Sequence, residues 1–153
     1  MRCIIGVAVA LLCANGAPVR DLVLVANITR TATDFGTILI DAGSVQADGN
    51  RRTFWSYMFV RNGDLLVRGA NYTEADCSNQ TIRYVKRQMF DDSHVEIGEM
   101  DKPTPWSHAT EGSAELRMIR LACGTEKPID AEKLGDVDPL AISDPLLTDP
   151  KFR

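Results

Sequence analysis

The sequence predicts an α+β domain with a single curved antiparallel sheet of about five or six strands, a C-terminal helix packed on one face, and one disulfide. Segments with β-strand patterns, separated by turn signals, fill the chain between residues 21 and 98. One segment with helical spacing follows, at residues 113–123. Strands that all precede the first convincing helix are typical of α+β domains and argue against a doubly wound parallel sheet.

The predicted strands are separated by turn residues, of which Asn62-Gly63 is the clearest pair. Asn and Gly tolerate the positive φ of a type I′ turn, so this pair predicts a hairpin. The strand before it carries apolar side chains on both faces, which indicates a central strand covered on both sides. The predicted strands are Asp21–Asn27, Phe35–Asp41, Arg52–Val60, Asp64–Arg68 with the following Gly69–Tyr72, Thr81–Phe90 and His94–Gly98.

The helix over residues 113–123 is predicted from its ends as much as from its spacing. Ser113 is a suitable N-cap, Glu115 suits the positive end of the helix dipole, and Gly124 stands at a C-cap position. Leu116 and Ile119 begin an apolar side at helical spacing. Because Leu116 also alternates with Met118, a strand is the competing interpretation.

The first 17 residues are predicted to be a signal peptide. Arg2 precedes an apolar run, Cys3–Cys13, that is shorter than the roughly 20 residues a membrane-spanning helix needs. Cleavage is expected near Gly16, which removes Cys3 and Cys13. Two alternatives remain open: a lipoprotein acylated at Cys13, and a buried helix or strand. No later segment has the length and apolarity of a transmembrane span.

Export leaves two cysteines, Cys77 and Cys123, outside the reducing cytosol. A disulfide between them is therefore the expected state. Two buried free thiols are the alternative, and a metal site would need more ligands than this pair supplies.

Residues 18–124 are predicted to form the folded domain, and residues 125–153 an acidic tail with four prolines. The tail lacks a consistent period, so we expect it to be extended or disordered. A protease should then remove it without loss of the domain.

The net charge of −4 is unevenly distributed, because seven basic residues lie between residues 51 and 90. Such charges usually form a solvated face, although a basic sheet face could attract anionic partners such as surface polysaccharide. No nucleic-acid partner is expected. The basic residues are Arg51, Arg52, Arg61, Arg68, Arg83, Lys86 and Arg87.

Three groups of side chains are candidates for a chemical site. Asp92, His94 and Glu96 would share one side of a strand, but three ligands on one strand rarely converge alone, so a solvated face is expected. Ser107-His108 are sequence neighbours without a nucleophile elbow. Trp55, Tyr57 and Phe59 could stack on a sugar or a base, or form the sheet core. The sequence has no phosphate loop and no dinucleotide fingerprint, so no catalytic residue, cofactor or metal site is predicted.

The order of the landmarks resembles the surface-adhesin protein E-like family of exported bacterial proteins. The landmarks are Trp55 in a strand, Ala75-Asp76-Cys77 before a strand with Arg83-Tyr84, Trp106 in a loop, Ser113 with Glu115, and Leu121-Ala122-Cys123. The resemblance implies a curved antiparallel sheet with the C-terminal helix packed against it, and dimers in some members. The best-known member of that family is an adhesin that binds host proteins such as vitronectin, laminin and plasminogen, but its ligand-binding segment has no clear counterpart in this chain. The features that carry over by residue are structural, namely Cys77, Cys123, Trp55 and Trp106.

The function expected from the sequence is therefore that of a non-enzymatic exported protein of the cell envelope, acting as a binding or adhesion module. Its expected partner is a protein or polysaccharide at the envelope, and a homodimer is among the expectations. The alternative is a periplasmic structural or accessory protein that binds another envelope component. The expected location is the periplasm or the cell surface of a bacterium.

Overall fold

The computed structural model describes residues 19–29, 34–63 and 65–148. The predicted signal peptide lies outside the described residues. The described residues form nine strands: β1 (Leu22–Thr29), β2 (Asp34–Asp41), β3 (Gln46–Asp48), β4 (Arg51–Asn62), β5 (Leu65–Asp76), β6 (Thr81–Phe90), β7 (Glu96–Met100), β8 (Ser107–His108) and β9 (Lys133–Gly135). They also form two helices, α1 (Ala114–Ala122) and α2 (Pro139–Thr148).

The strands form one antiparallel sheet in the order β7-β6-β5-β4-β2-β1-β9, with β3 beside β4 and β8 beside β6. Six strands correspond to the predicted ones, and the two segments predicted after Asn62-Gly63 are one continuous strand, β5. The prediction of five or six strands was too low, because β3, β8 and β9 have only two or three residues each. Strands this short carry no readable alternation.

The Asn62-Gly63 hairpin is present, with Asn62 paired to Leu65 and Gly63 at φ 59°. In β4, the strand that leads into this turn, both faces are buried, as the sequence predicted for a central strand. Phe54 and Ser56 lie on one face, and Tyr57 and Phe59 on the other. The sheet therefore has a separate core on each side.

Helix α1 covers the face of the sheet that carries Phe54. Met118, Ile119 and Ala122 of α1 pack against residues of five strands: Val23, Val25, Ile40, Phe54, Ala75 and Ile82. The helix starts where predicted, because the Ser113 hydroxyl accepts a hydrogen bond from the Leu116 amide at 3.1 Å. It ends before Gly124, whose φ is 73°. The competing strand interpretation was wrong.

Helix α2 covers the opposite face, and we call this side of the sheet the α2 face. Leu146 and Leu147 are 1% and 0% exposed and pack against a core of Leu22, Phe35, Leu39, Tyr57, Phe59, Leu66 and Ala70. This corrects two expectations: helices cover both faces of the sheet, and the segment after Cys123 is folded as far as Thr148. Pro139 occupies the first position of α2, where a missing N–H breaks no helical hydrogen bond, so this proline starts the helix.

The predicted disulfide is present. Cys77 follows the end of β5 and is bonded to Cys123 at the end of α1, with a Cα–Cα distance of 5.9 Å. The bond fixes the end of α1 to the end of β5, an interior strand of the sheet that α1 covers. In the part of the chain that the structure describes, neither helix is long and apolar enough to cross a membrane.

Candidate binding groove

A groove of about 650 Å³ lies on the α2 face, between the sheet and the segment that leads into α2. Its floor comes from three neighbouring strands. Tyr57 of β4 pairs with Ala70 of β5, and Ala70 pairs with Gln88 of β6, so the three side chains form one row across the sheet. The small Ala70 side chain between two larger ones gives the groove its depth. Trp55 and Phe90 complete the floor.

The walls of the groove come from the first described residues, from the end of β2 with the turn after it, and from the segment before α2. One wall is the segment 136–140, and the other contains Val19, Arg20, Asp41 and Ser44. The first wall is shaped by Gly135, which turns the chain after β9 with φ 73°. It is then held by Asp138, whose carboxylate accepts a hydrogen bond from the Leu140 amide at 3.0 Å and caps α2.

The polar side chains of the groove gather around the hydroxyl end of Tyr57. Burial raises the pKa of Tyr57; nearby Arg20 opposes this effect, while the carboxylates of Asp41 and Asp138 add to it. The phenol is therefore protonated at neutral pH and is available as a hydrogen-bond donor. Arg20 and Asp138 form an ion pair at 3.7 Å that connects the two walls. Asp41 is fixed by hydrogen bonds from the amides of residues 21 and 43.

Trp55 forms the aromatic part of the floor. Its ring is half-buried and contacts Tyr72 on β5, with 5.4 Å between ring centroids and 52° between ring planes. Its backbone N–H donates to the Ser44 hydroxyl at 2.9 Å. Of the three aromatic residues that the sequence singled out, Trp55 and Tyr57 line the groove. Phe59 is fully buried in the core beneath α2.

A second cluster surrounds Trp106 further along the same face. The Arg83 guanidinium lies 4.6 Å from the centre of the Trp106 ring, and that of Arg51 lies 5.8 Å away. Both arginines also contact Glu74, with Arg83 Nε at 2.6 Å and Arg51 Nη1 at 3.4 Å. Glu74 is 8% exposed. The cluster therefore attaches the loop before β8 to the sheet through the indole ring.

The basic residues of the sheet do not form one open cationic surface. Arg68 is 1% exposed and lies under α2. Arg51 and Arg83 share Glu74, and Lys86 pairs with Glu99. Four of the seven basic residues between residues 51 and 90, namely Arg51, Arg68, Arg83 and Lys86, therefore pair with acidic side chains.

Asp92, His94 and Glu96 do not share a strand, because β7 begins only at Glu96 and His94 lies in the preceding turn with φ 61°. Asp92 pairs with Arg68 at 3.1 Å, and Glu96 accepts a hydrogen bond from Gln88 at 3.2 Å. Within residues 19–29, 34–63 and 65–148, no three potential metal-ligating side chains come together.

Ser107 and His108 form the short strand β8 at the margin of the sheet. The Ser107 hydroxyl donates to the Ile82 carbonyl at 3.2 Å. Both residues are exposed. Ser107 therefore helps to attach β8 to β6.

Sequence reasoning missed most of the residues that build the groove, including Ala70, Gln88 and the segment 136–140. Ala70 and Gln88 carry no signal of their own, since their role depends on the pairing register. The segment 136–140 did carry one: Asp138-Pro139 places an N-cap residue before a proline suited to the first helical position.

Comparison with known proteins gives one match. The family model for surface-adhesin protein E matches residues 26–124. No curated protein and no solved structure matches the chain. The matched range contains most of the sheet, α1 and both cysteines of the disulfide. The segment 136–140 and residues 19 and 20, which supply groove walls, lie outside it.

Proposed function

We propose, on the premise that the chain belongs to the surface-adhesin protein E family, that it is an exported protein of the bacterial cell envelope that works by binding. Membership supports an adhesion-type protein with an exported or surface location. The groove on the α2 face is the binding site we assign to it. No catalytic step is part of this proposal.

The observation that carries the proposal is the extent of the family match. It covers the strands that form the groove floor, together with the disulfide that fixes α1 to the sheet. Structural disulfides form and persist chiefly in oxidising compartments, which agrees with export. Groove floor residues on a rigid sheet are well suited to binding, because little side-chain freedom remains to be lost.

The alternative is a periplasmic accessory protein whose partner is another envelope component. It is compatible with one feature of the groove: the segment 136–140 lies outside the family match, yet it forms a wall of the groove. The groove is thus not simply a feature of the matched domain, and its partner can differ from those of other members.

Surface proteolysis of intact cells separates the two functions. Cells that produce the protein are treated with a non-penetrating protease, and the protein is then followed by immunoblotting. A known periplasmic protein serves as the control for envelope integrity. We expect digestion of the protein while the control stays intact. Complete protection, followed by digestion after the outer layer is permeabilised, would contradict the adhesion proposal and favour the accessory role.

A further inference from the structure

We propose that the groove is a site for a neutral saccharide, with a sugar ring stacked on Trp55 and its hydroxyls hydrogen-bonded by the polar side chains around Tyr57 and Gln88. The inference rests on the proposed function, since it assigns a ligand class to the same groove. The groove volume of about 650 Å³ is within the range of about 300–1,000 Å³ typical of small-molecule sites.

The floor offers the two kinds of surface that a sugar ring requires. A pyranose ring has an apolar face of C–H groups and a rim of hydroxyls. Trp55 is half-buried, so its packing against Tyr72 holds the ring in place while part of it lines the groove. An aromatic ring held in this way is a stacking platform that needs no rearrangement on binding.

The polar groups match hydroxyls because they include both donors and acceptors. The Gln88 amide has both, the Tyr57 phenol donates, and the Asp138 carboxylate accepts. A sugar hydroxyl donates one hydrogen bond and accepts others, so it can pair with each of these groups. An apolar ligand of the same size would leave them unpaired, at a cost in affinity.

The charge of the groove excludes an anionic ligand. Three carboxylates, Asp41, Asp136 and Asp138, line it, against one guanidinium, that of Arg20, which is already paired with Asp138. Phosphates, uronic acids and sulfated sugars would meet net negative charge at short range. A basic peptide would not, so it is the competing ligand that the experiment includes.

The chain offers its own fluorescent reporter, because it contains only two tryptophans. Trp106 lies outside the groove, in the cluster with Arg83. In the variant Trp106→Phe, emission therefore reports on Trp55 alone. We expect a saturable change in this emission on titration with at least one neutral trisaccharide of glucose, galactose, mannose or N-acetylglucosamine. A heparin trisaccharide and trilysine are titrated in parallel and should give no saturable change.

Two variants locate the site, with binding measured by calorimetry. Gln88→Ala should weaken binding of the active trisaccharide about tenfold, the effect of losing about one well-made hydrogen-bonding group. Met89→Ala is its matched control: Met89 is the next residue on β6, is 39% exposed and points to the opposite face, so it should leave affinity within about twofold. Trp55→Ala should abolish measurable binding, provided that its thermal unfolding remains cooperative.

The inference is overturned if no neutral trisaccharide binds at up to about 10 mM, a limit well beyond useful recognition. Tighter binding of trilysine or of the heparin trisaccharide overturns it as well, as does unchanged affinity in Gln88→Ala. These results are independent of surface proteolysis. If the protein is exposed on the cell surface but binds no saccharide, only the saccharide inference is overturned. If it is fully shielded and binds a saccharide, the adhesion proposal is overturned and the saccharide site stands.

Discussion

The guanidinium of Arg68 on β5 donates a hydrogen bond from Nε to the Ser143 hydroxyl on α2, at 2.8 Å. Both side chains lie in the core, with Arg68 1% and Ser143 0% exposed. The remaining nitrogens of the guanidinium reach the carboxylates of Asp144 at 2.5 Å and Asp92 at 3.1 Å. Arg68 therefore joins the sheet, helix α2 and the turn before β7 through a single side chain.

Arg68→Ala should lower the free energy of unfolding by about 2–4 kcal/mol. The substitution leaves a cavity beneath α2 and removes the donor to the buried Ser143 hydroxyl, which keeps only its own hydrogen bond to the Leu140 carbonyl. Asp92 and Asp144 are 69% and 59% exposed and can be rehydrated, which keeps the loss below that of a fully buried pair. The measurement is urea denaturation followed by circular dichroism.

The control for this experiment is Arg120→Ala. Arg120 pairs with Glu111 at 2.9 Å on the surface, where such a pair contributes less than about 1 kcal/mol. Equal losses in the two variants would mean that the contacts of Arg68 with α2 do not stabilise the fold.

Leu146→Ala tests whether the segment after Cys123 belongs to the folded unit. Leu146 is 1% exposed in the core under α2, so its truncation should cost about 2–5 kcal/mol. The same substitution at Leu65, which is 63% exposed, should change stability by less than about 0.5 kcal/mol. A disordered tail would make Leu146→Ala as neutral as Leu65→Ala in thermal and urea unfolding.

The parts of the fold that the sequence predicted are those with local causes. Asn62-Gly63 determines its own hairpin, and Ser113 with Gly124 determines the ends of α1. The sequence pattern did not predict helix α2, because prolines in a segment without a consistent period favour an extended or disordered chain. In the structure, Pro139 is the first helical residue and Pro145 lies inside the helix, where tertiary packing of the following leucines outweighs the propensity cost.

The groove could be predicted only in part, because it depends on lateral pairing. Trp55 and Tyr57 stood out as aromatic residues. However, they line the groove while Phe59 is buried under α2, and the sequence analysis did not predict this helix. Ala70 contributes to the floor because its side chain is small and lies between Tyr57 and Gln88. The pairing register of the strands determines which residues lie beside it. No single-residue pattern carries this information.

Loss of the disulfide should destabilise the domain by about 2–5 kcal/mol. Cys77 and Cys123 are 46 positions apart, and the chain-entropy model gives about 4 kcal/mol for closing a loop of this length. The mature protein should therefore unfold at lower urea concentration when reductant is present. The double variant Cys77→Ser with Cys123→Ser is the control, and its unfolding midpoint should not respond to reductant. A reductant effect of equal size in that variant would show that the bond is not the cause.

Arg117 on α1 is the centre of a second network of ion pairs, and from this network we expect the stability of the protein to depend on pH in the acid range. Its guanidinium donates to Glu126 at 2.8 Å, to Glu132 at 2.7 Å and to the Val25 carbonyl at 2.5 Å. Burial raises the pKa of Glu132, but the hydrogen bonds from Arg117 and from the Ile129 amide outweigh it, so that its pKa is below the ordinary value of 4.5. The carboxylate is thus more stable in the folded protein than in the unfolded chain.

This shift determines the sign of the pH dependence. A carboxyl whose pKa is lowered on folding contributes stability that is fully present above its unfolded pKa, near 4.5 for Glu132, and that is lost as the pH falls through the folded pKa. Glu132→Gln should therefore lower the free energy of unfolding by about 1–2 kcal/mol at pH 7. The difference from the unsubstituted protein should shrink as the pH is lowered from about 5 towards 3. Glu111→Gln, at an exposed surface pair, should leave the pH profile of urea midpoints unchanged. Parallel profiles for Glu132→Gln and the unsubstituted protein would show that Arg117 stabilises the fold independently of the Glu132 charge.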